Sequence, residues 1–429
     1  MKKITKRILA CAMALTLLLG MTTMVSADLD NPTQASTGLK LGGGFLTKDL
    51  ILPNGATVKA RDFEFAFTKV SVDGRTTPTD LATMPTLTAK QSFVGNDTTT
   101  DIGGGLEKAT GNTNTFTAVQ SDGSTPVVWP HAGEYVYTVK EIPQPTSGAG
   151  HDPAYTYSLA EYQVTVFVTN VLDSDEQPTG ALQIDSVGFC AISNDAGTAV
   201  PSLPKTDPVF TNKYEPLTTF EVSKTVVGEY ADATLPFAYT LAMTRPTGTE
   251  ATAEEYVGVI FNADGSVAST PNTVEVVFPA TQTTATSVTF NLKHGQYVRF
   301  EEVETGDPGF DEGMTGLPTG VTYTLTEAAA PGYTAQVDVL VNAAALTDTP
   351  VNKANTAANT ALTIGGGVAP LENPILLGEK INQADWTNTY RTVSPTGILL
   401  NNLPFILLIV VALGGFVGYI ASKRRKATN

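Results

Sequence analysis

Apolar and polar side chains alternate in one short run after another along this chain. Phe63-Glu64-Phe65-Ala66-Phe67, Tyr135 to Val139, Tyr162 to Val168, Phe237 to Leu241, Val288 to Leu292, Tyr323 to Leu325 and Val337 to Val341 all follow the pattern. A period of two places every second side chain on one face of a strand. The runs are rich in Val, Thr, Tyr and Phe, and clusters of Gly, Pro, Asn and Asp separate them. That combination predicts an all-β fold built from sandwiches. At 429 residues, two or three domains are expected.

The pattern also repeats on a larger scale. Leu46-Thr47-Lys48-Asp49-Leu50 has a counterpart in Val222-Ser223-Lys224-Thr225-Val226. Tyr137-Thr138-Val139-Lys140-Glu141 matches Tyr323-Thr324-Leu325-Thr326-Glu327, and Phe210-Thr211-Asn212-Lys213-Tyr214 matches Trp386-Thr387-Asn388-Thr389-Tyr390. Both halves run in the order Lys, Glu, Asn, and in both the Lys and Asn stand 164 residues apart. Two tandem domains follow, 28–214 and 215–392, with the boundary near Glu215-Pro216.

Strand parity gives these polar residues a chemical meaning. Lys48 shares its face with Leu46 and Leu50, Lys224 with Phe220, Val222 and Val226, Glu141 with Tyr135, Tyr137 and Val139, and Glu327 with Tyr323 and Leu325. Asn212 follows Phe210 and Asn388 follows Trp386 on the same parity. A lone Lys or Glu is rarely buried, and an unpaired buried charge is costly. One such set reads most simply as strand-end charges that pair or reach solvent; two sets in the same order and spacing favour chemistry between the members. Burial neutralises a Lys by lowering its pKa and a Glu by raising it. A neutral amine is a nucleophile; it can attack the Asn side-chain carbonyl while the protonated Glu polarises that carbonyl and shuttles protons as ammonia departs. The expected product is an intramolecular amide between Lys48 and Asn212, and another between Lys224 and Asn388, with Glu141 and Glu327 as catalysts.

The ends carry different signals. Lys2, Lys3, Lys6 and Arg7 precede the apolar run Ile8 to Leu19 and the small-residue site Val25-Ser26-Ala27, which predicts a cleaved secretory signal over 1–27. At the other end, Ile398 to Ile420 is apolar apart from Asn401 and Asn402, long enough to span a bilayer, and is followed by Lys423, Arg424, Arg425 and Lys426, which hold that end in the cytoplasm. Val393-Ser394-Pro395-Thr396-Gly397 stands directly before the span. This order resembles a cell-wall sorting signal (motif 393–397, span 398–420, tail 421–429), at which a sortase cysteine would attack the Thr396 carbonyl. The pentapeptide departs from the commonest Leu-Pro-x-Thr-Gly form and resembles variants with Pro directly before Thr-Gly. Leu317-Pro318-Thr319-Gly320 also lacks a residue between Pro and Thr, but no span follows it, so it is not expected to be a sorting signal.

Together these features resemble the two-domain major pilins of Gram-positive, sortase-assembled pili, with streptococcal-type isopeptide-linkage domains. The resemblance runs from about Leu39 to Gly397. It implies two tandem immunoglobulin-like β-sandwiches, each with its first and last strands cross-linked, on a secreted, wall-attached shaft subunit. It also implies that sortase joins Thr396 to a lysine shortly before the first-domain Asn. Lys205, in Leu203-Pro204-Lys205-Thr206-Asp207-Pro208, occupies that place; its flanking prolines favour an extended, accessible segment over a ladder strand. Lys213 and Lys40 are the rival acceptors. The implied partners are sortase, identical subunits, and peptidoglycan or accessory pilins, with host receptors as further candidates. A monomeric wall-anchored adhesin of the same build is the alternative.

Charge and motif content exclude other classes. Residues 28–392 hold all 42 acidic residues and 18 of the 26 basic ones, a net −24, which argues against nucleic-acid binding. No nucleophile triad, phosphate loop or metal-ligand cluster is evident, so neither an enzyme nor a cofactor is expected. Asp173-Ser174-Asp175-Glu176 lacks the loop glycine and terminal Glu of a helix-flanked calcium site. Gly42-Gly43-Gly44, Gly103-Gly104-Gly105 and Gly365-Gly366-Gly367 read as turns. Cys11 departs with the signal, so Cys190 is expected as a buried free thiol beside Phe189, and the mature chain has no intrachain disulfide.

Overall fold

The computed structural model describes residues 25–26, 39–40, 45–113, 115–119, 129–144, 152–246, 252–345, 352–354, 357–366, 373–390 and 395–426. The chain is mostly β-strand. In the first half the main strands are β1 (Leu46–Pro53), β2 (Ala60–Val72), β3 (Thr86–Val94), β4 (Leu106–Thr113), β5 (Gly133–Glu141), β6 (Glu161–Leu172), β7 (Pro178–Ser193) and β8 (Val209–Tyr214). One sheet runs β7-β6-β5-β2-β3; a second contains β8-β1-β4. Phe65 of the first sheet packs on Phe210 of the second with ring centroids 4.9 Å apart, inside a core that also holds Leu46, Tyr137, Val139 and Val164. The two sheets therefore face each other across one apolar layer.

The second half repeats the plan with β9 (Phe220–Val227), β10 (Phe237–Thr244), β11 (Glu254–Phe261), β12 (Thr273–Phe278), β13 (Thr286–Leu292), β14 (Tyr297–Phe300), β15 (Thr322–Glu327), β16 (Tyr333–Val341) and β17 (Asn382–Tyr390). One sheet runs β12-β11-β14-β9-β17-β16 and the other contains β13-β10-β15. Tyr239 of β10 meets Trp386 of β17 edge-on at 5.5 Å, and Phe220 of β9 meets Tyr323 of β15 at 4.7 Å. Among the described residues, no strand up to Tyr214 pairs with one from Leu217 onward.

In each half the first and last strands lie side by side in parallel. Lys48 of β1 is in register with Phe210, and Leu50 with Asn212. In β9, Lys224 is in register with Trp386, and Val226 with Asn388. The pairing offset is therefore identical in the two halves.

The C-terminal helix, Pro395–Lys426, contains the apolar stretch Leu403–Ile420, long enough to cross a membrane, with mean hydropathy 2.5. Pro395, Thr396 and Gly397 are its first residues; Val393 and Ser394 lie outside the described residues. So does most of the segment expected as a signal, apart from Val25–Ser26, which pairs with Val187 and Ser186 of β7. Cys190 is buried as expected. In the full-length chain Cys190 is disulfide-bonded; the expectation of a free thiol concerns the mature chain, from which Cys11, outside the described residues, has departed.

Candidate functional site

In each half a Lys, a Glu and an Asn meet in the apolar interior. Lys48 and Asn212 come from adjacent strands of one sheet, and Glu141 reaches them from the end of β5 in the facing sheet. All three side chains are withdrawn from solvent. Lys48 Nζ donates to Glu141 Oε2 at 3.1 Å and to the Phe210 carbonyl at 3.1 Å. Asn212 Nδ2 donates to Glu141 Oε1 at 2.6 Å. The Phe63 ring covers the ammonium, its centroid 4.9 Å away.

The second cluster follows the same plan. Lys224 Nζ donates to Glu327 Oε2 at 2.7 Å, Asn388 Nδ2 donates to Glu327 Oε1, and the Phe237 ring lies 4.0 Å from Nζ. In both clusters, then, one carboxyl oxygen faces the amine and the other faces the carboxamide nitrogen. Among the described residues the structure thus brings together all six sequence-predicted Lys, Glu and Asn side chains, as two separate triads.

Burial dominates the electrostatics. It pushes Lys48 down to about 8, against the opposing pull of Glu141, and Lys224 down to about 8 against that of Glu327. It raises Glu141, with Lys48 and the Asn212 hydrogen bond pulling the other way. Desolvation of an ion pair can exceed its mutual attraction, so at the first triad the neutral Lys48 amine and neutral Glu141 carboxylic acid become accessible. A neutral amine held beside a carboxamide, with a carboxyl group spanning both nitrogens, can exchange one amide for another. Fixing the reactants in place supplies a large effective molarity.

One feature of the expected chemistry is corrected by the geometry. Glu141 does not face the carbonyl oxygen of Asn212; it faces the amide nitrogen. The Asn212 Oδ1 instead accepts the backbone N–H of Ser158 at 2.7 Å. An N–H can only donate, so the carboxamide orientation is fixed by this contact. The second cluster differs here: among the described residues Asn388 Oδ1 is buried with no hydrogen-bond partner. It differs again at Tyr239, whose hydroxyl donates to Glu327 Oε2 at 2.8 Å. Tyr239 is in register with Glu327, and the residue in register with Glu141 is Phe65.

Sequence reasoning missed Ser158 and Tyr239. Ser158 acts through its main chain and leaves no residue-type signal. Tyr239 was legible in principle, because it shares parity with Phe237 and Leu241, and a buried phenol usually finds a partner.

Lys205 is exposed and lies apart from both clusters. It forms a single antiparallel bridge with Cys190, supported by Ala191 N donating to the Pro204 carbonyl at 3.1 Å. The turn before it places Ser202 and Leu203 at φ 69° and 45°. Of the rival lysines, Lys213 is half-buried in β8 and Lys40 belongs to the short strand Leu39–Lys40. The acidic run after β6 is a turn in which Asp173 Oδ1 accepts the N–H groups of Asp175 and Gln177; among the described residues no His, Cys, Asp and Glu cluster could hold a metal. Thr319 of the non-sorting Leu317-Pro318-Thr319-Gly320 run is buried, and a Cβ at Gly320 (φ +86°) would lie 2.6 Å from Pro53.

Three comparisons bear on kinship. No curated protein sequence matches the chain. Among solved structures, the major pilin of Streptococcus pyogenes is similar at 18% identity, over 81% of this chain and 99% of that one, with a TM-score of 0.30. The T3.2 major pilin of the same species gives 16%, 81%, 99% and 0.29, and the pilus-presented adhesin Spy0125 (Cpa) gives 11%, 80%, 100% and 0.22. Residues 218–308 match a domain of unknown function, DUF7601. Residues 45–215, which contain Lys48, Glu141 and Asn212, match the family model of the Spy0128-like isopeptide containing domain.

Proposed function

We propose that the chain is the structural subunit of a covalently polymerised pilus on a Gram-positive cell surface. It is built from two tandem immunoglobulin-like sandwiches, 28–214 and 215–392, between a cleaved signal and a C-terminal sorting segment. Lys48 bonds to Asn212 and Lys224 to Asn388. The observation that carries the reading is the pair of buried triads, each joining the first and last strands of its half, each with its glutamate divided between amine and carboxamide. Such a bond clamps the two strands through which tension would enter and leave a domain. The subunit is a structural protein, not an enzyme acting on an external substrate.

In the same reading, sortase cleaves after Thr396 and transfers its acyl group to Lys205 of the next subunit. The exposure of Lys205 and the apolar stretch Leu403–Ile420 that follows Thr396 support this. Co-expression with the cognate sortase should give a ladder of high-mass species resistant to boiling in detergent. Lys205→Ala and Thr396→Ala should each abolish the ladder, and the two variants together in one cell should restore at least a dimer. Monomers alone from the unaltered chain would favour the wall-anchored adhesin. A ladder that persists with Lys205→Ala would move the acceptor to Lys213 or Lys40.

A further inference from the structure

We propose that the Ser158 backbone N–H is the oxyanion donor for the Lys48–Asn212 bond, and that Asp195 is the positioning residue that holds it there. The inference rests on the cross-linking reading above and deepens it at one of the two sites.

The contact lies where charge must develop. When Lys48 Nζ attacks Asn212 Cγ, the Cγ–Nζ bond forms and the carbonyl π pair moves onto Oδ1. Oδ1 already faces the Ser158 N–H at 2.7 Å, in a site closed to solvent. A donor aimed in advance at the developing oxyanion needs no reorganisation during the reaction. Glu141 serves the other two atoms. One proton leaves Nζ for Oε2, and one reaches Nδ2 from Oε1, because the rehybridised nitrogen regains its lone pair. The Oδ1 pair then re-forms the carbonyl, the Cγ–Nδ2 bond breaks, and ammonia departs. Amine and carboxamide become amide and ammonia, with the carboxyl group returned to its starting state.

Among the described residues Ser158 lies outside the strands; Asp195 supplies the tie. Its Oδ1 accepts the Ser158 hydroxyl at 2.5 Å and the Thr211 N–H at 2.9 Å. Thr211 immediately precedes Asn212 in β8. The Asp195 main-chain carbonyl accepts the Leu159 N–H at 2.9 Å, and the Ser158 hydroxyl accepts the Ala160 N–H at 3.1 Å. One aspartate thus binds the loop that carries the donor to the strand that carries the reacting carboxamide. Among the described residues no donor faces Asn388 Oδ1, so the device belongs to the first site alone.

The test uses the full chain, translated in vitro, held in denaturant and diluted into detergent buffer. The Lys48–Asn212 and Lys224–Asn388 cross-linked peptides are then quantified over time by mass spectrometry. Loss of one oxyanion donor outright typically slows a reaction about 10²–10³-fold; Asp195→Ala only frees the loop, so a slowing of about tenfold or more is expected at the first site. Asp195→Asn keeps an Oδ1 acceptor and should restore the rate to within about threefold of the unaltered chain. Ser158→Ala removes one of the two ties, keeps the N–H, and should fall between. The second bond in the same molecule serves as the folding clock and should keep its rate in all three. If Asp195→Ala stops both bonds, it has failed to fold, and the Ser158→Ala and Asp195→Asn rates decide. First-site rates unchanged in the alanine variants, or Asp195→Asn as slow as Asp195→Ala, would overturn the proposal. If the unaltered chain never forms the Lys48–Asn212 peptide, the cross-linking reading itself fails instead.

Discussion

Tyr214, the last residue of β8, donates its hydroxyl to the Glu379 carboxylate at 2.7 Å. The two residues belong to different halves of the chain. Glu379 also accepts the Thr57 N–H at 3.1 Å and hydroxyl at 2.9 Å, and pairs with Lys59 at 2.5 Å. Its own N–H donates to the Gly55 carbonyl at 3.1 Å. The turn around Gly55 fits closely, for a Cβ there would lie 3.2–3.3 Å from Leu376, Leu377 and Gly378. A single carboxylate thus gathers two segments of the first half, Thr57–Lys59 and Tyr214, onto the second.

This junction should open in acid. Burial alone would raise the Glu379 pKa, but the hydrogen bonds from Lys59, Tyr214 and Thr57 outweigh it and hold the group below the usual carboxylate range. A depressed folded-state value means that the stabilisation is full above the usual carboxylate pKa and is lost as pH falls through the lowered one. Glu379→Ala should open the junction at neutral pH. Screened, charge-assisted contacts of this kind are worth roughly 1–2 kcal/mol net, or about five- to thirtyfold in the open fraction. Limited proteolysis of the segment joining the two halves checks it: cleavage should quicken in the variant, and in the unaltered chain only in acid.

The pH dependence of cross-linking should be bell-shaped. The reactive pair, neutral Lys and protonated Glu, holds one proton between its members, so it titrates as a unit. With Lys48 lowered to about 8, deprotonation of the pair should cut the rate above that pH. With Glu141 raised, a second proton should cut it on the acid side, at a pH above the ordinary Glu value. Rates measured after dilution from denaturant into buffers of graded pH check this. A rate that keeps rising through the ordinary Lys value would remove the acid role of Glu141.

How much of this was legible without coordinates differs by residue. Parity alone placed Lys48, Glu141, Asn212 and their counterparts on apolar faces, because strand alternation is a local rule. That β1 and β8 pair in parallel, with Phe210 opposite Lys48, is a long-range fact with no local signature. The swap of carbonyl for amide nitrogen at Glu141 depends on a main-chain donor and was invisible. Glu379, in the polar stretch Gly378-Glu379-Lys380, carries no local signal; its partners Thr57, Lys59 and Tyr214 all come from the other half of the chain.

Loss of one bond should cost stability in its own half. An amide joining residues 164 apart restricts the unfolded chain as a disulfide would, worth about 5 kcal/mol in the chain-entropy model. Asn388→Ala should therefore lower the melting temperature of the second half, measured by calorimetry, and leave the first half's transition in place. Glu327→Ala should be worse, because it also strands Lys224 in the core; breaking a buried pair typically costs about 3–5 kcal/mol.

Tyr239→Phe should leave the second bond able to form. The register-matched residue of the first half is Phe65, so a hydroxyl at this place is not a requirement of the plan. Peptide mapping should still find the Lys224–Asn388 cross-link after overnight folding; its complete absence would make Tyr239 a participant in the chemistry.

The claim that both triads react is tested most directly by the intact mass of the folded chain, read under denaturing, reducing conditions. The account predicts a mass below that of the sequence by two molecules of ammonia, with Glu141→Ala and Glu327→Ala each restoring one. A mass equal to the unmodified sequence, in a chain that is folded by circular dichroism, would contradict it.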